Sequence, residues 1–157
     1  MTDAPIPAPT KTQDERIIAA LAHASAILPM WGAIAAIVLW ATQKDKSPFA
    51  GFQSLQAVAY HLTMIVGAML FGVCYMCSAL TMPLSTLLFL PSDPASTDIS
   101  PFAFLPMAFP FAVMGIGLLA GVAFVAYGLF AAAMTLQGKD FRYIVIGKKL
   151  EAYLAAK

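Results

Sequence analysis

Three long apolar runs, separated by short polar breaks, dominate the pattern along the chain. They cover about 17–42, 54–82 and 107–137. A helix rises ~1.5 Å per residue and the hydrocarbon core of a bilayer is ~30 Å thick, so each run is long enough to cross a membrane. The pattern therefore predicts an all-α integral membrane bundle of about three transmembrane helices.

Local signals at the polar breaks predict where helices begin and end. Thr12 and Glu15 have the spacing of a capping box, in which each side chain bonds the other residue's backbone N–H. Ser47 followed by Pro48 is typical of an N-cap and a first helical residue. Gly138 follows the third run at the position where a C-cap glycine is expected. These signals predict helix starts near residues 13 and 48 and a helix end near 137.

Pro29 lies in the middle of the first run and leaves two interpretations open. A proline inside a helix removes one backbone hydrogen bond and kinks the helix, which neighbouring helices in a membrane tolerate. The favoured interpretation is one kinked span over 17–42. The alternative is that Pro29 divides the run into a re-entrant hairpin, which would leave the N-terminus on the cytoplasmic side.

The second helix is predicted to begin as an amphipathic segment. Phe49, Phe52 and Leu55 fall on a different helical face from Gln53 and Gln56. Such a segment is expected to lie at the membrane interface before the helix enters the bilayer.

The two ends of the chain differ from the centre. We expect residues 1–11 to form a proline-rich flexible arm, 12–140 a single transmembrane domain, and 141–157 a basic, amphipathic cytoplasmic tail at the membrane surface. The boundaries follow from alternating prolines at one end and from Lys148 and Lys149 among apolar residues at the other.

Composition and charge support lipid as the solvent of this chain. The sequence is 61% hydrophobic and 11% charged, against about 25% charged in a soluble domain. A net charge of +1 gives no basic face for nucleic acid. Basic residues lie within the 43–47 loop and within the tail, whereas the 84–100 loop has two Asp and no Lys or Arg. The positive-inside rule predicts a bacterial cytoplasmic membrane protein with the first loop and the tail inside, the 84–100 loop outside and, with three spans, an external N-terminus.

Four residues within the apolar runs are candidates for cofactor or metal binding. His23 and His61 could be axial haem ligands, but neutral histidines bonded within the bundle are the favoured interpretation. Cys74 and Cys77 share a helical face, yet no second pair completes a metal site, and packing is favoured. No cofactor and no metal are expected.

Two other groups are candidates for contacts with partners. Small residues at helical spacing on the third span predict close helix–helix packing; they are Gly117, Gly121, Gly128 and Ala132. The most distinctive polar segment is a candidate interaction loop at the cytoplasmic face; it comprises Lys44, Asp45, Lys46, Ser47, Pro48 and Phe49.

Three segments together resemble an uncharacterised bacterial membrane family distantly related to the Tic import component of the chloroplast inner envelope. These are the Glu15-Arg16 to His23-x-Ser25 segment, Trp40 with the 44–49 loop and Gln56-Ala57, and Gly138 with Phe141-Arg142-Tyr143. The family has an aromatic-Gln pair where this chain has Tyr60-His61. The resemblance implies a multi-span membrane fold and a channel-like analogy.

No nucleophile–base or carboxylate pair is visible, so the chain is predicted not to be an enzyme. The favoured hypothesis is an accessory or assembly subunit of a membrane complex, with lipid, membrane-protein partners or a second copy as contacts. An oligomeric channel or translocation component is the alternative, and a bis-histidine haem protein is the third.

Overall fold

The structure, a computed structural model, describes residues 11–89 and 105–155. The arm before Lys11 and most of the predicted 84–100 loop lie outside these ranges. In the described part of the chain the regular structure is helical throughout. The α-helices are α1 (Gln13–Ala24), α2 (Pro29–Gln43), α3 (Pro48–Ala79), α4 (Thr81–Phe89), α5 (Leu105–Leu136) and α6 (Ile146–Ala155), with a 3-10 turn, Ser25–Ile27, between α1 and α2.

Two helical stretches are long and apolar enough to cross a membrane. They are Pro48–Leu84, which continues α3 into α4, and Ala108–Leu136 within α5. Only 6% of the most apolar window of each is buried inside the protein, whereas the central helix of a soluble protein would be largely covered. Their apolar side chains therefore face lipid, and the prediction of an all-α membrane bundle is confirmed.

The first apolar run forms two short helices instead of the predicted single span over 17–42. α1 ends at Ala24 and α2 begins with Pro29 as its first residue, on either side of the 3-10 turn. At ~1.5 Å per residue, the 12 residues of α1 and the 15 of α2 extend only ~18 and ~22 Å. Neither helix reaches across a ~30 Å hydrocarbon core.

The beginning of α1 lies beside the end of α2, so the two helices form a helical hairpin. The Ser47 hydroxyl, just beyond α2, donates to the Glu15 carboxylate at 2.6 Å. The Lys11 ammonium lies 4.2 Å from the centre of the Phe49 ring. The chain thus enters and leaves the hairpin at the same end.

Ser25 and Gly32 allow the chain to reverse between the two helices. The Ser25 hydroxyl lies 2.7 Å from the Ala22 carbonyl oxygen and 3.1 Å from that of Gly32, carbonyls on either side of the turn. A Cβ at position 32 would collide with the Ser25 carbonyl. Proline is placed where its missing N–H costs nothing, at the first position of α2, so it begins a helix rather than bending one.

The predicted caps of α1 and α3 are confirmed. Thr12 accepts from the Glu15 N–H at 3.3 Å, while the Glu15 carboxylate accepts from the Thr12 N–H at 2.8 Å. The Ser47 hydroxyl accepts from the Ala50 N–H at 3.1 Å, in front of Pro48. Local sequence therefore determined where these helices begin.

The predicted end of the third span is also confirmed. Gly138 has a φ of +77° and its N–H donates to the Thr135 carbonyl at 2.8 Å, while the Lys139 N–H donates to that of Met134 at 3.1 Å. This pair of bonds is a Schellman motif, which favours glycine at the left-handed position.

Two segments that the sequence predicts to lie at the surface contain buried side chains in the structure. Gln53 and Gln56 on α3 are 0% exposed, although this segment was expected to present a polar face at the interface. Phe141 and Tyr143 are buried as well, although they were assigned to a surface tail. The physical reason is the same for both: near the bilayer, polar groups gain more from internal hydrogen bonds than from facing lipid. The surface helix α6 begins only at Ile146.

The contacts divide the chain into two compact units. Unit 1 comprises residues up to Thr63 and from Val125 onward, and unit 2 comprises Met64–Phe124. The hairpin, the first turns of α3 and the segment after α5 all belong to unit 1.

Candidate functional site

Five buried residues of unit 1 form one hydrogen-bonded group, called here the polar cluster. It consists of His23 on α1, Gln53 and Gln56 on α3, and Phe141 and Tyr143 in the segment between α5 and α6. His23 is 1% exposed and Tyr143 2% exposed. The cluster therefore joins three separate parts of the sequence away from solvent.

Gln56 holds the 141–143 segment as a neighbouring β-strand would. Its amide nitrogen donates to the Phe141 carbonyl at 3.0 Å, and its amide oxygen accepts from the Tyr143 N–H at 3.2 Å. In an extended chain the carbonyl of one residue and the N–H two residues later point to the same side, so one amide satisfies both. Gln53 adds a second donor to the Phe141 carbonyl at 3.1 Å.

The hydrogen-bond directions determine the state of His23. Because the Gln53 nitrogen donates to Phe141, its oxygen is left to accept from His23 Nε2, 3.1 Å away. Because burial disfavours a charged imidazole, His23 Nδ1 is then unprotonated and accepts from the Tyr143 hydroxyl at 3.0 Å. This assignment follows from the network, and it makes His23 a neutral imidazole with both nitrogens occupied.

Aromatic rings surround the Tyr143 side chain. Tyr60 stacks on it with ring centres 4.3 Å apart and planes 7° apart, and Tyr127 meets it edge-on at 5.3 Å. Phe130 packs edge-on against Phe141 at 5.9 Å. Burial, and then the neighbouring Tyr60 and Tyr127, raise the pKa of the Tyr143 phenol, so Tyr143 remains a neutral hydrogen-bond donor.

His61 lies outside the polar cluster and bonds to the hairpin turn. Its Nε2 is 2.9 Å from the Ser25 hydroxyl oxygen. Ser25 has one hydroxyl hydrogen and two carbonyls within reach, so His61 Nε2 donates to it. His61 Nδ1 is buried and has no hydrogen-bond partner in the described part of the chain.

This geometry does not favour the haem hypothesis for His23 and His61. An axial ligand needs an unoccupied ring nitrogen directed at the iron. Both nitrogens of His23 are engaged within the polar cluster, so His23 offers none to an iron. Nε2 of His61 is engaged with Ser25, and its free Nδ1 alone would not make a bis-histidine pair. The two histidines instead fasten α1 and its turn to α3.

The cysteine pair is exposed on α3. Cys74 and Cys77 are free thiols, and within the described ranges no group of three His, Cys, Asp or Glu side chains could hold a metal ion. The polar cluster contains no carboxylate and no thiol. Its hydrogen bonds join α1, α3 and the segment between α5 and α6.

The predicted packing residues of α5 have different surroundings. In unit 1, a Cβ added at Gly128 would lie 2.6 Å from the Ala26 Cβ, and Ala132 is buried. In unit 2, a Cβ at Gly117 would collide with the Phe71 ring, whereas Gly121 has nothing within 4 Å. Close approach to a neighbouring helix therefore involves Gly117 and Gly128, and not Gly121.

The predicted interaction loop has an exposed part and a structural part. Lys44, Asp45 and Lys46 are exposed, with a loose ion pair of 3.9 Å between the first two. Ser47 is buried and caps α3, and Phe49 is half-buried beneath Lys11. Pro48 is exposed as well, so the part of this loop that is open to a partner comprises Lys44, Asp45, Lys46 and Pro48.

Ion pairs link the ends of unit 1 around the polar cluster. The Lys11 ammonium lies 2.7 Å from the Asp140 carboxylate and also donates to the Gly138 carbonyl at 2.9 Å. Arg142 pairs with Glu151 at 2.8 Å. Since exposed ion pairs contribute about 0–1 kcal/mol each, these two pairs orient the segments more than they stabilise the fold.

Hydrogen bonds from Ser47 and from the Thr12 backbone lower the pKa of the Glu15 carboxyl.

Sequence reasoning missed Gln53, Gln56 and Tyr143 as site residues. The available signal was two glutamines three residues apart at the start of an apolar run, since buried amides near a bilayer require partners. Their partner, a Phe-x-Tyr segment some 85 residues later, had no local signal.

A family model described as the magnetosome magnetite crystal formation protein family (MamF/MmsF) matches residues 14–150. No curated protein and no solved structure matches the chain. The resemblance to a Tic-related family is therefore wrong: all three segments that suggested it fall within the matched region. The channel-like analogy loses its support with that correction.

Proposed function

Because the chain belongs to the magnetosome magnetite crystal formation protein family, we propose that it is a non-enzymatic protein of the magnetosome membrane that assists the formation of magnetite crystals. Its role is that of an accessory or assembly subunit. It acts through contacts with lipid and with other membrane proteins or a second copy of itself.

The observation that carries this proposal is the closed hydrogen bonding of the polar cluster. Gln56 and Gln53 use their amides on the chain's own backbone, and His23 uses both ring nitrogens on Tyr143 and Gln53. A site that satisfies itself in this way holds a shape and has no group left over for chemistry. Function then depends on the surfaces that this shape presents.

The hairpin favours a cytoplasmic location for one end of unit 1. The start of α1, the 44–49 loop and the 138–143 segment meet there. The Lys and Arg residues of the described chain all flank this end in sequence; they are Lys11, Arg16, Lys44, Lys46, Lys139, Arg142, Lys148 and Lys149. By the positive-inside rule we propose that the N-terminus lies in the cytoplasm, instead of outside as expected for three spans.

Complementation tests this function. In a magnetotactic bacterium lacking its own family members, a fluorescent fusion of this chain should be found in the magnetosome membrane and should restore crystal size, measured by electron microscopy. Gln56→Leu, which opens the polar cluster, should restore less than the matched surface variant Gln137→Leu. Wild-type protein that is excluded from magnetosomes, or that leaves the crystals unchanged at normal abundance, contradicts the proposal.

A further inference from the structure

An open groove in unit 1 lies between α3 and α6. It has a volume of about 390 Å³ and is lined by Ala59, Thr63, Val145, Ile146, Lys149 and Leu150. The Thr63 hydroxyl donates to the Ala59 carbonyl of its own helix. Among the lining side chains only Lys149 carries a charge, so the groove is an apolar surface with a single cation at its edge.

The cations beside this groove have no internal counter-charge. Glu151, the acidic residue of α6, is engaged with Arg142 at 2.8 Å. In the described ranges neither Lys148 nor Lys149 takes part in an ion pair, and both are exposed. The two lysines therefore have no acidic side chain within the described residues to neutralise their charge.

The apolar residues next to the groove face outward. Ile144 is 79% exposed and Val145 65% exposed, directly before the amphipathic helix α6. Exposed aliphatic side chains beside unpaired lysines are typical of a segment that lies in the membrane interface. Ala59 and Thr63 belong to the stretch of α3 that can cross the bilayer, so α6 and the spanning helix meet in this groove.

We propose that this groove binds one anionic phospholipid, with an acyl chain between α3 and α6 and the headgroup phosphate beside Lys149. The lipid supplies both things that the site lacks: an apolar chain that covers Ala59 and Ile146, and a negative charge for the lysine. A zwitterionic lipid supplies the chain and no net charge, so it binds more weakly. This site does not depend on the proposed role in crystal formation.

The test uses the full-length protein purified in mild detergent and mixed with dioleoyl phosphatidylglycerol or dioleoyl phosphatidylcholine. Native mass spectrometry measures the lipid retained per protein. One phosphatidylglycerol should be held in preference to phosphatidylcholine. Lys149→Gln should weaken its retention about fivefold, the contribution of one basic residue near an anionic surface.

Two further variants separate this site from general attraction to charge. Lys46→Gln removes an exposed lysine from the 44–49 loop and should leave retention unchanged. Ala59→Trp fills the groove and should abolish retention while Lys149 is still present. Equal retention of the two lipids, or equal losses in Lys149→Gln and Lys46→Gln, overturns the proposal. A dimer that Ala59→Trp dissociates also overturns it, because the occupant is then a second copy.

Discussion

At the scale of single residues, the polar cluster is a set of buried groups that depend on each other. Gln56 satisfies two backbone groups at once, the Phe141 carbonyl and the Tyr143 N–H. The carbonyl has a second donor in Gln53, but the Tyr143 N–H has no second acceptor within the described residues. Loss of Gln56 therefore leaves a buried N–H unpaired.

Gln56→Leu should destabilise the fold by about 1–3 kcal/mol, the cost of an unsatisfied buried donor. The leucine has a similar volume, so lost hydrogen bonding and not a cavity causes the effect. Unfolding in mixed detergent micelles measures the change. Gln137→Leu makes the same substitution at an exposed position and should alter stability by less than ~0.5 kcal/mol. Equal effects of the two variants would show that the amide pairing contributes nothing.

Glu15 gives the hairpin a dependence on pH. Hydrogen bonds from Ser47 and from the Thr12 backbone lower its pKa in the folded protein. The folded state therefore binds its proton less readily than the unfolded state, so its contribution is present above the unfolded pKa and is lost as pH falls through the folded one. Thermal unfolding should show the wild type losing stability on acidification more steeply than Glu15→Gln. Parallel pH profiles for the two proteins would rule out this role.

At the scale of elements, the glycines of α5 differ in what they do. Gly128→Ala should destabilise by about 1–3 kcal/mol, because the added methyl group overpacks against Ala26. Gly121→Ala places the same methyl group on the same helix in open space and should be neutral or stabilising by up to ~1 kcal/mol. Melting temperatures in detergent compare the two. A greater loss at Gly121 than at Gly128 would mean that α5 packs through its other face.

The elements also show which features a sequence can predict. The caps at Thr12, Ser47 and Gly138 depend on residues within a few positions of each other, so the spacing of residues in the sequence was sufficient to predict these helix ends. The hairpin depends on whether α1 gains more by packing back on α3 than by crossing the bilayer. That balance includes His23 with Gln53, and Ser25 with His61, pairs 30 and 36 residues apart. No local pattern encodes such pairings, so Pro29 left two interpretations open.

At the scale of the whole molecule, the fold depends on one end where distant segments meet. Helix type and the two long spans follow from composition and run length, because lipid demands continuous apolar helices. Composition and run length do not predict the burial of Gln53, Gln56 and Tyr143. A glutamine exposed at the membrane interface and a glutamine buried in the polar cluster have the same local sequence. The hairpin explains this burial, because it places α1 where His23 can bond Gln53 and Tyr143 in the polar cluster.

The side of the membrane on which α1 begins tests this account most directly. In a protein with Cys74 and Cys77 replaced by serine, single cysteines are placed at Asp14, Lys46, Lys148 and Ser96 and labelled in intact bacterial cells with a membrane-impermeant maleimide. The hairpin requires Asp14→Cys to be protected until the cells are opened, as Lys46→Cys and Lys148→Cys are, while Ser96→Cys is labelled from outside. Labelling of Asp14→Cys together with Ser96→Cys in intact cells would mean that the first run crosses the bilayer, and would contradict the account.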